Sequence, residues 1–261
     1  MTPPRVVLSC EHAGNEVPSE YAHLFDSPAA RQALDSHRGW DPGSWELGQA
    51  MAGVLDAPLV VQRVTRLLVE CNRSLGHPRL FSEFSGVLGP EERSAVVERY
   101  WRPHRERVRE AIEGVLEGAP QGGPVVVHVG VHTFTPVWKG RPRATDVGLL
   151  YDPRRAAEGA LARRWREAMS RGTSVRGLPS TARGLPSTAR GLPSTMAGGR
   201  LAIHLNRPYR GWTDGLTTAL RQELPPDRYV GLELELSQRF AAQAGGLGRE
   251  LGEALRVALE G

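Results

Sequence analysis

Apolar positions along this chain fall into two rhythms. Short runs rich in valine and leucine, bounded by glycine or proline, occupy 6–10, 58–64, 125–131, 147–151 and 229–236. Runs of this length and composition predict β-strands, several of them buried on both faces. Between them, apolar residues recur at helical spacing over 27–36, 42–55, 90–117, 154–170, 215–223 and 238–259. Asp41 stands where the helix over 42–55 would take its N-cap. Gly118 and Pro120 mark where the helix over 90–117 should stop. Strands alternating with helices predict an α/β fold, with a sheet covered on both faces and residues 1–261 forming a single domain.

One stretch follows neither rhythm. Residues 176–195 repeat the unit Arg-Gly-Leu-Pro-Ser-Thr-Ala almost three times. Each copy carries a helix-breaking Pro and Gly, and its single leucine cannot supply the two-position seam of a coiled coil. The units are too few and too short for a solenoid. They read as a flexible surface insertion.

Composition narrows the class without naming a function. With 261 residues, 40% hydrophobic and 24% charged, the chain can bury a substantial core and reads as soluble and globular. The net charge of +4 is carried almost wholly by arginine, Lys139 being the only lysine. These arginines lie beside glutamates in helical stretches such as 93–109, and no basic run is interleaved with aromatics, which argues against nucleic acid as a partner. The N-terminus has one short apolar run followed by charge, neither a signal peptide nor a membrane span, so a cytoplasmic location is expected. Cys10 and Cys71 each sit in an apolar, strand-like segment and are expected to be reduced core residues.

The polar residues that interrupt this pattern carry the chemistry. The segment Ser9-Cys10-Glu11-His12-Ala13-Gly14-Asn15-Glu16-Val17-Pro18 leaves the first strand at its C-terminal end, the edge where open α/β sheets bind ligands. Turn chemistry alone also explains its Gly-Asn pair. A second valine-rich strand holds His128 and exits at His132. The first histidine is expected to be a hydrogen-bonded core residue, and the second a ligand. His12, His132 and one carboxylate would make a zinc site with three protein ligands and a fourth position open to water. For the carboxylate, Asp41 is favoured over Glu16, although Asp41 could serve only as a helix cap.

Two further segments complete the set. In Gly231-Leu232-Glu233-Leu234-Glu235-Leu236 both glutamates point to one face. That face is either solvent-exposed or the place of a general base, and Glu235, nearer the strand end, is the choice for the base. In Arg66-Leu67-Leu68-Val69-Glu70-Cys71-Asn72-Arg73 the arginines and Asn72 surround what reads as an apolar strand. They suit an anionic substrate, whereas an ion pair of Arg73 with Glu70 or Glu83 is the plain alternative.

Taken in order, Cys-Glu-His-Ala-Gly-Asn-Glu-Val-Pro, His-Arg-Gly-Trp-Asp-Pro-Gly, Asn-Arg-Ser, His-Thr-Phe-Thr-Pro, Gly-Leu-Leu-Tyr-Asp-Pro, Asn-Arg-Pro-Tyr-Arg-Gly and Leu-Glu-Leu-Glu-Leu-Ser-Gln resemble the N-formylglutamate amidohydrolase family over nearly the whole chain. The resemblance implies a mixed, twisted sheet between helices, similar to the phosphorylase/hydrolase-like fold of zinc carboxypeptidases. It implies one zinc ion per chain, with His12 and His132 as ligands and Glu235 as base. The third residue after His12 is Asn15 rather than the glutamate usual in that wider group. Arg66, Asn72 and Arg73 look like the residues that hold the substrate carboxylate, and Asn206, Arg207 and Tyr209 like part of the same pocket. In the reaction so implied, Arg66 would help to stabilise the oxyanion, and the substrate would be a small anionic N-acyl amino acid of the N-formyl class, such as N-formylglutamate. A metallopeptidase or other deacylase on the same scaffold, and a non-catalytic carboxylate-binding protein, are the rival readings.

Overall fold

A computed structural model describes residues 5–117, 125–172 and 200–260. Six strands form one mixed sheet in the order β2-β1-β3-β8-β6-β7. They are β1 (Arg5–Cys10), β2 (Leu59–Val61), β3 (Val126–Phe134), β6 (Val147–Leu150), β7 (Ile203–Leu205) and β8 (Tyr229–Ser237). All neighbours are parallel except β6 against β8. Two short strands, β4 (Val137–Trp138) and β5 (Arg141–Pro142), form a separate hairpin whose turn residues Lys139 and Gly140 both have positive φ, as a two-residue hairpin turn of this hand requires.

The central strands are buried along their length, and their two faces differ. Val127, Val129 and Val131 of β3, with Val230, Leu232, Leu234 and Leu236 of β8, point into the main core. There they meet Leu47 and Met51 of α2 (Ser44–Leu55), Trp165 and Met169 of α5 (Ala156–Gly172) and Leu251 and Leu255 of α7 (Ala244–Glu260). Because strand side chains alternate, the opposite face carries Val126, His128, Gly130, His132 and Phe134 from β3, and Tyr229, Gly231, Glu233 and Glu235 from β8. Val108 and Ile112 of α4 (Arg102–Glu117) and Leu216 and Leu220 of α6 (Leu216–Glu223) cover the beginning of that face around Val7, Val126 and Tyr229. Apart from Phe134 at the strand end, the C-terminal half is left to polar side chains.

A second apolar cluster lies outside the sheet. Tyr21 and Phe25 from a 3-10 helix (Ser19–Phe25), Ala30 and Ala33 of α1 (Pro28–Leu34), Val96 of α3 (Pro90–Val96) and Trp101 pack around Leu67, Leu68, Val69 and Cys71. This packing changes one sequence expectation. The 66–73 segment is not a strand, because its apolar run is buried against helices rather than paired in the sheet. Cys71 is nonetheless a free buried thiol, as is Cys10, and burial raises both, Cys10 to about 12.

Other elements differ in extent. The strand expected over 58–64 shortens to Leu59–Val61, and the helix over 90–117 runs through a five-residue π segment, Val97–Trp101. The last helix begins as a 3-10 turn, Gln238–Gln243. The repeat at 176–195, and the stop signals Gly118 and Pro120, lie outside the described residues. Among the described residues no helix is long and apolar enough to cross a membrane.

Candidate active site

His12 leaves β1 into a turn, and its carbonyl accepts the backbone N–H of Asp41 at 3.0 Å. That bond places Asp41 beside the sheet instead of at a helix terminus. Gly43, with φ of 87°, is the N-cap of α2, so the capping role expected of Asp41 is not the one its side chain takes. Its Oδ2 lies 3.2 Å from Nδ1 of His12 and 3.2 Å from Nδ1 of His132, and its Oδ1 accepts from Arg66 Nη1 at 3.2 Å. All three of His12, Asp41 and His132 are buried, and one donor atom from each lies within 4.8 Å of the others. Glu16 is elsewhere: it is exposed and pairs with Arg63 on the surface.

Each histidine is held from behind by a second carboxylate. His12 Nε2 is 2.5 Å from Glu70 Oε1, and His132 Nε2 is 3.1 Å from Glu11 Oε2. Glu11 in turn meets His104 Nε2 at 3.3 Å, and Glu70 accepts Arg66 Nε at 2.7 Å and the Asn72 backbone N–H at 3.0 Å. This pairing fixes the ring orientations and turns both Nδ1 atoms toward Asp41. A tetrahedral ion with zinc-like bond lengths separates its ligand atoms by about 3.3 Å, so the 3.2 Å spacings fit such an ion.

Electrostatics point the same way. Burial opposes ionisation of Asp41, yet His12, His132 and Arg66 hold its carboxyl far below the usual range. Burial likewise opposes a charged His132, but bonds to Asp41 and Glu11 raise it well above an ordinary imidazole. The space between these groups therefore favours a positive charge. His128, by contrast, is the core histidine expected: it bridges Ser9 Oγ and Tyr229 OH, each at 2.8 Å, and burial lowers it to about 4.

Glu235 stands directly across from His132 in the β3–β8 register. It is buried, and its Oε2 has no hydrogen-bond partner. Burial, with Asp41 and Glu233 adding repulsion, raises its carboxyl to about 8. A buried carboxyl without a partner is costly to keep, and one with so high a pKa is suited to proton transfer near neutrality. Gly148, its partner on β6, lets the 206–211 loop pass close by: a Cβ there would stand 2.1 Å from the Arg207 carbonyl oxygen and 3.3 Å from Glu235 Cβ.

The remaining predicted residues surround this centre with different tasks. All three guanidinium nitrogens of Arg66 are turned to Asp41 and Glu70. Asn72 accepts the Leu216 N–H at 2.7 Å and brings its Nδ2 to 3.5 Å from His132 Nε2. Arg73 bonds the Asp214 carbonyl and lies 4.0 Å from its carboxylate, so neither Glu70 nor Glu83 is its partner. Asn206, at φ 51°, uses its Oδ1 to tie Tyr151 N–H and Gly211 N–H, which shapes the 206–211 loop. Tyr209 projects from that loop, half exposed, with its hydroxyl on Arg143.

Glu11, Glu70 and His104 join the site without having been singled out from the sequence. Two of them left a signal. Glu11 continues the alternation Val7, Ser9, Glu11 past the end of β1, and His104 shares the spacing of Val108 and Ile112 on the inward face of α4. Glu70 showed only as a charge inside an apolar run.

No protein of curated function matches this sequence. Among solved structures, the gene product Atu2144 from Agrobacterium tumefaciens is 28% identical with a TM-score of 0.71, covering 97% of this chain and 91% of that one. N-formylglutamate amidohydrolase from Ralstonia eutropha JMP134, 18% identical with a TM-score of 0.58 and covering 98% and 93%, shares the fold. The sequence profile of N-formylglutamate amidohydrolase matches residues 4–242, a span that contains His12, Asp41, Glu70, His132 and Glu235. With that match over most of its length, the chain belongs to the N-formylglutamate amidohydrolase family, whose members hydrolyse amides.

Proposed function

We propose that this protein is a zinc-dependent hydrolase that removes the formyl group from N-formylglutamate or a closely similar N-formyl amino acid. The observation that carries the reading is the unpartnered Glu235 carboxyl facing His132 beside a buried three-donor cluster. His12, Asp41 and His132 would hold the ion through Nδ1, Oδ2 and Nδ1. When bound, zinc supplies Lewis-acid polarisation of the amide carbonyl and makes water a nucleophile near neutral pH.

The chain's own residues perform the proton work. Glu235 takes a proton from the attacking water as the new C–O bond forms, then delivers it to the nitrogen as the C–N bond breaks, so that formate and the free amino acid leave. A carboxyl raised to about 8 is well matched to both halves of that transfer. Arg66 serves as a positioning residue, because its nitrogens hold Asp41 and Glu70 in place. Asn72 and Arg73 are assigned to the substrate's α-carboxylate.

Metal analysis of the purified protein, followed by a screen of N-formyl and N-acetyl amino acids for release of free amine, tests this reading. About one zinc per chain with formyl-selective release is expected. Metal-independent cleavage, or no cleavage of any N-acyl amino acid by the zinc-loaded protein, would overturn it.

A further inference from the structure

Arg143 follows the β4–β5 hairpin, and its guanidinium is surrounded by three aromatic rings. Its Cζ lies 5.5 Å from the centroid of Phe134, 5.3 Å from Trp138 and 5.1 Å from Tyr209. Nη1 donates to the Thr135 carbonyl at 3.3 Å and to the Tyr209 hydroxyl at 3.1 Å. Unlike Arg66 and Arg73, it has no carboxylate partner among the described residues. Nε and Nη2 make no hydrogen bond, and neither is a sealed atom. That edge is a pair of parallel N–H donors not sealed from solvent, the shape that matches a carboxylate.

Its position gives the edge a use. Phe134 points to the same face of β3 as His132 and lies two residues beyond it, so the ring under Arg143 is displaced about 7 Å along the strand from the histidine. Tyr209, the ring on the other side, belongs to the loop whose Arg207 carbonyl passes over Gly148 next to Glu235. Arg143 thus stands beyond the end of β3 on the face that carries His132, against a ring of the loop that passes Glu235. The Asn72 and Arg73 side chains stand on a different segment, tied to Leu216 and Asp214.

We infer that Arg143 is a specificity-determining residue, its Nε–Nη2 edge receiving the carboxylate carried by the side chain of the bound amino acid. The rings and the two Nη1 bonds hold the guanidinium in place before substrate arrives, which lowers the ordering cost of binding. The rings also border the path of the substrate's methylenes. This assignment rests on the amide-hydrolase reading above.

The test compares wild type with Arg143→Gln on N-formyl-L-glutamate and N-formyl-L-glutamine, two substrates of the same shape that differ in charge. The wild-type preference for the acidic substrate, measured as a ratio of kcat/KM values, is expected to fall on the order of tenfold to a hundredfold in the variant. Arg143→Lys, which keeps the charge and loses the fork, should restore only part of it. Equal losses on both substrates, with the ratio unchanged, would overturn the assignment. Calorimetric binding of glutarate against its monoamide gives a readout that needs no turnover: wild type should favour glutarate and Arg143→Gln should not. If wild type cleaves neither formyl substrate, the hydrolytic reading falls, and equal binding of glutarate and its monoamide by wild type would reject the role of Arg143 separately.

Discussion

Two buried charge clusters sit at opposite ends of β8, and they are built on different terms. Near its start, Arg221 donates to Glu158 at 2.9 Å, to the Gly211 and Gly231 carbonyls and to Thr218, while Glu158 also accepts the Asp152 and Gly231 N–H groups. One cation faces one anion, and neither side chain has an unpartnered atom. Near its end, the carboxylates of Glu11, Asp41, Glu70 and Glu235 gather around the single guanidinium of Arg66 and three imidazoles. Glu235 Oε2 and His104 Nδ1 are left without partners. The first cluster is complete and fastens α5, α6 and the sheet together. The second has surplus negative charge and a carboxyl with an unfilled task, which is how a chemical site differs from a structural ion pair.

The sharpest way to break this contrast is at His132. His132→Ala should lose zinc and activity together, with turnover below detection, while the far-UV spectrum stays native. Full metal content with normal turnover, measured by elemental analysis and amine release, would remove His132 from the site. Glu235→Gln should separate the two properties: zinc is retained and kcat falls by ~10²- to 10⁴-fold. Unchanged kcat in this variant would leave the unpartnered carboxyl without a catalytic role.

The closed cluster should respond in the opposite sense. Arg221→Met strands a buried Glu158 and is expected to cost about 3–5 kcal/mol of stability. For a chain of this size that lowers Tm by about 10 °C. Activity per folded molecule should remain within a few-fold. A selective loss of kcat without loss of stability would mean that the two clusters are not distinct in kind.

How much of this contrast could be read from the sequence depended on whether local spacing governed the side chain. In β3 and β8 it did. A period of two puts His128, His132, Glu233 and Glu235 on one face, and the burial of both faces explains why the other set is wholly apolar. In the 62–89 region it did not. Side chains of Arg66, Glu70 and Asn72 are aimed by the packing of Leu67, Leu68 and Val69 beneath helices that come from distant parts of the chain. Asp41, favoured over Glu16 from the sequence, does stand in the cluster, but what holds it there is a long-range backbone bond to His12 that local spacing does not show. The three-residue strand β7 and the β4–β5 hairpin were too short to leave a period at all.

Glu70 tests how far the outer carboxylates belong to the proposed metal site. Glu70→Gln keeps the shape but weakens the hold on His12 and Arg66, and should lower zinc affinity by about 10- to 100-fold. Competition with a chelator of known affinity reads this directly. An unchanged affinity would place Glu70 in the structural class, beside Glu158.

The smallest expected effect concerns the metal-free protein and fixes the sign of the Glu235 environment. Burial raises this carboxyl from 4.5 to about 8 in the folded state. Between those values the folded chain holds a proton that the unfolded chain has released, so the contribution of Glu235 to stability is present below pH 4.5 and is lost as pH rises toward 8. Glu235→Gln removes the titrating group. In the chelator-treated protein, the Tm difference between Glu235→Gln and wild type should therefore grow in favour of the variant from pH 5 to pH 8. Zinc-loaded protein should show a smaller trend, since a cation beside the carboxylate stabilises its ionised form. A difference that shrinks with rising pH in the metal-free pair would mean that Glu235 is held ionised, with a partner of its own, and would make its end of β8 resemble the closed cluster at the other.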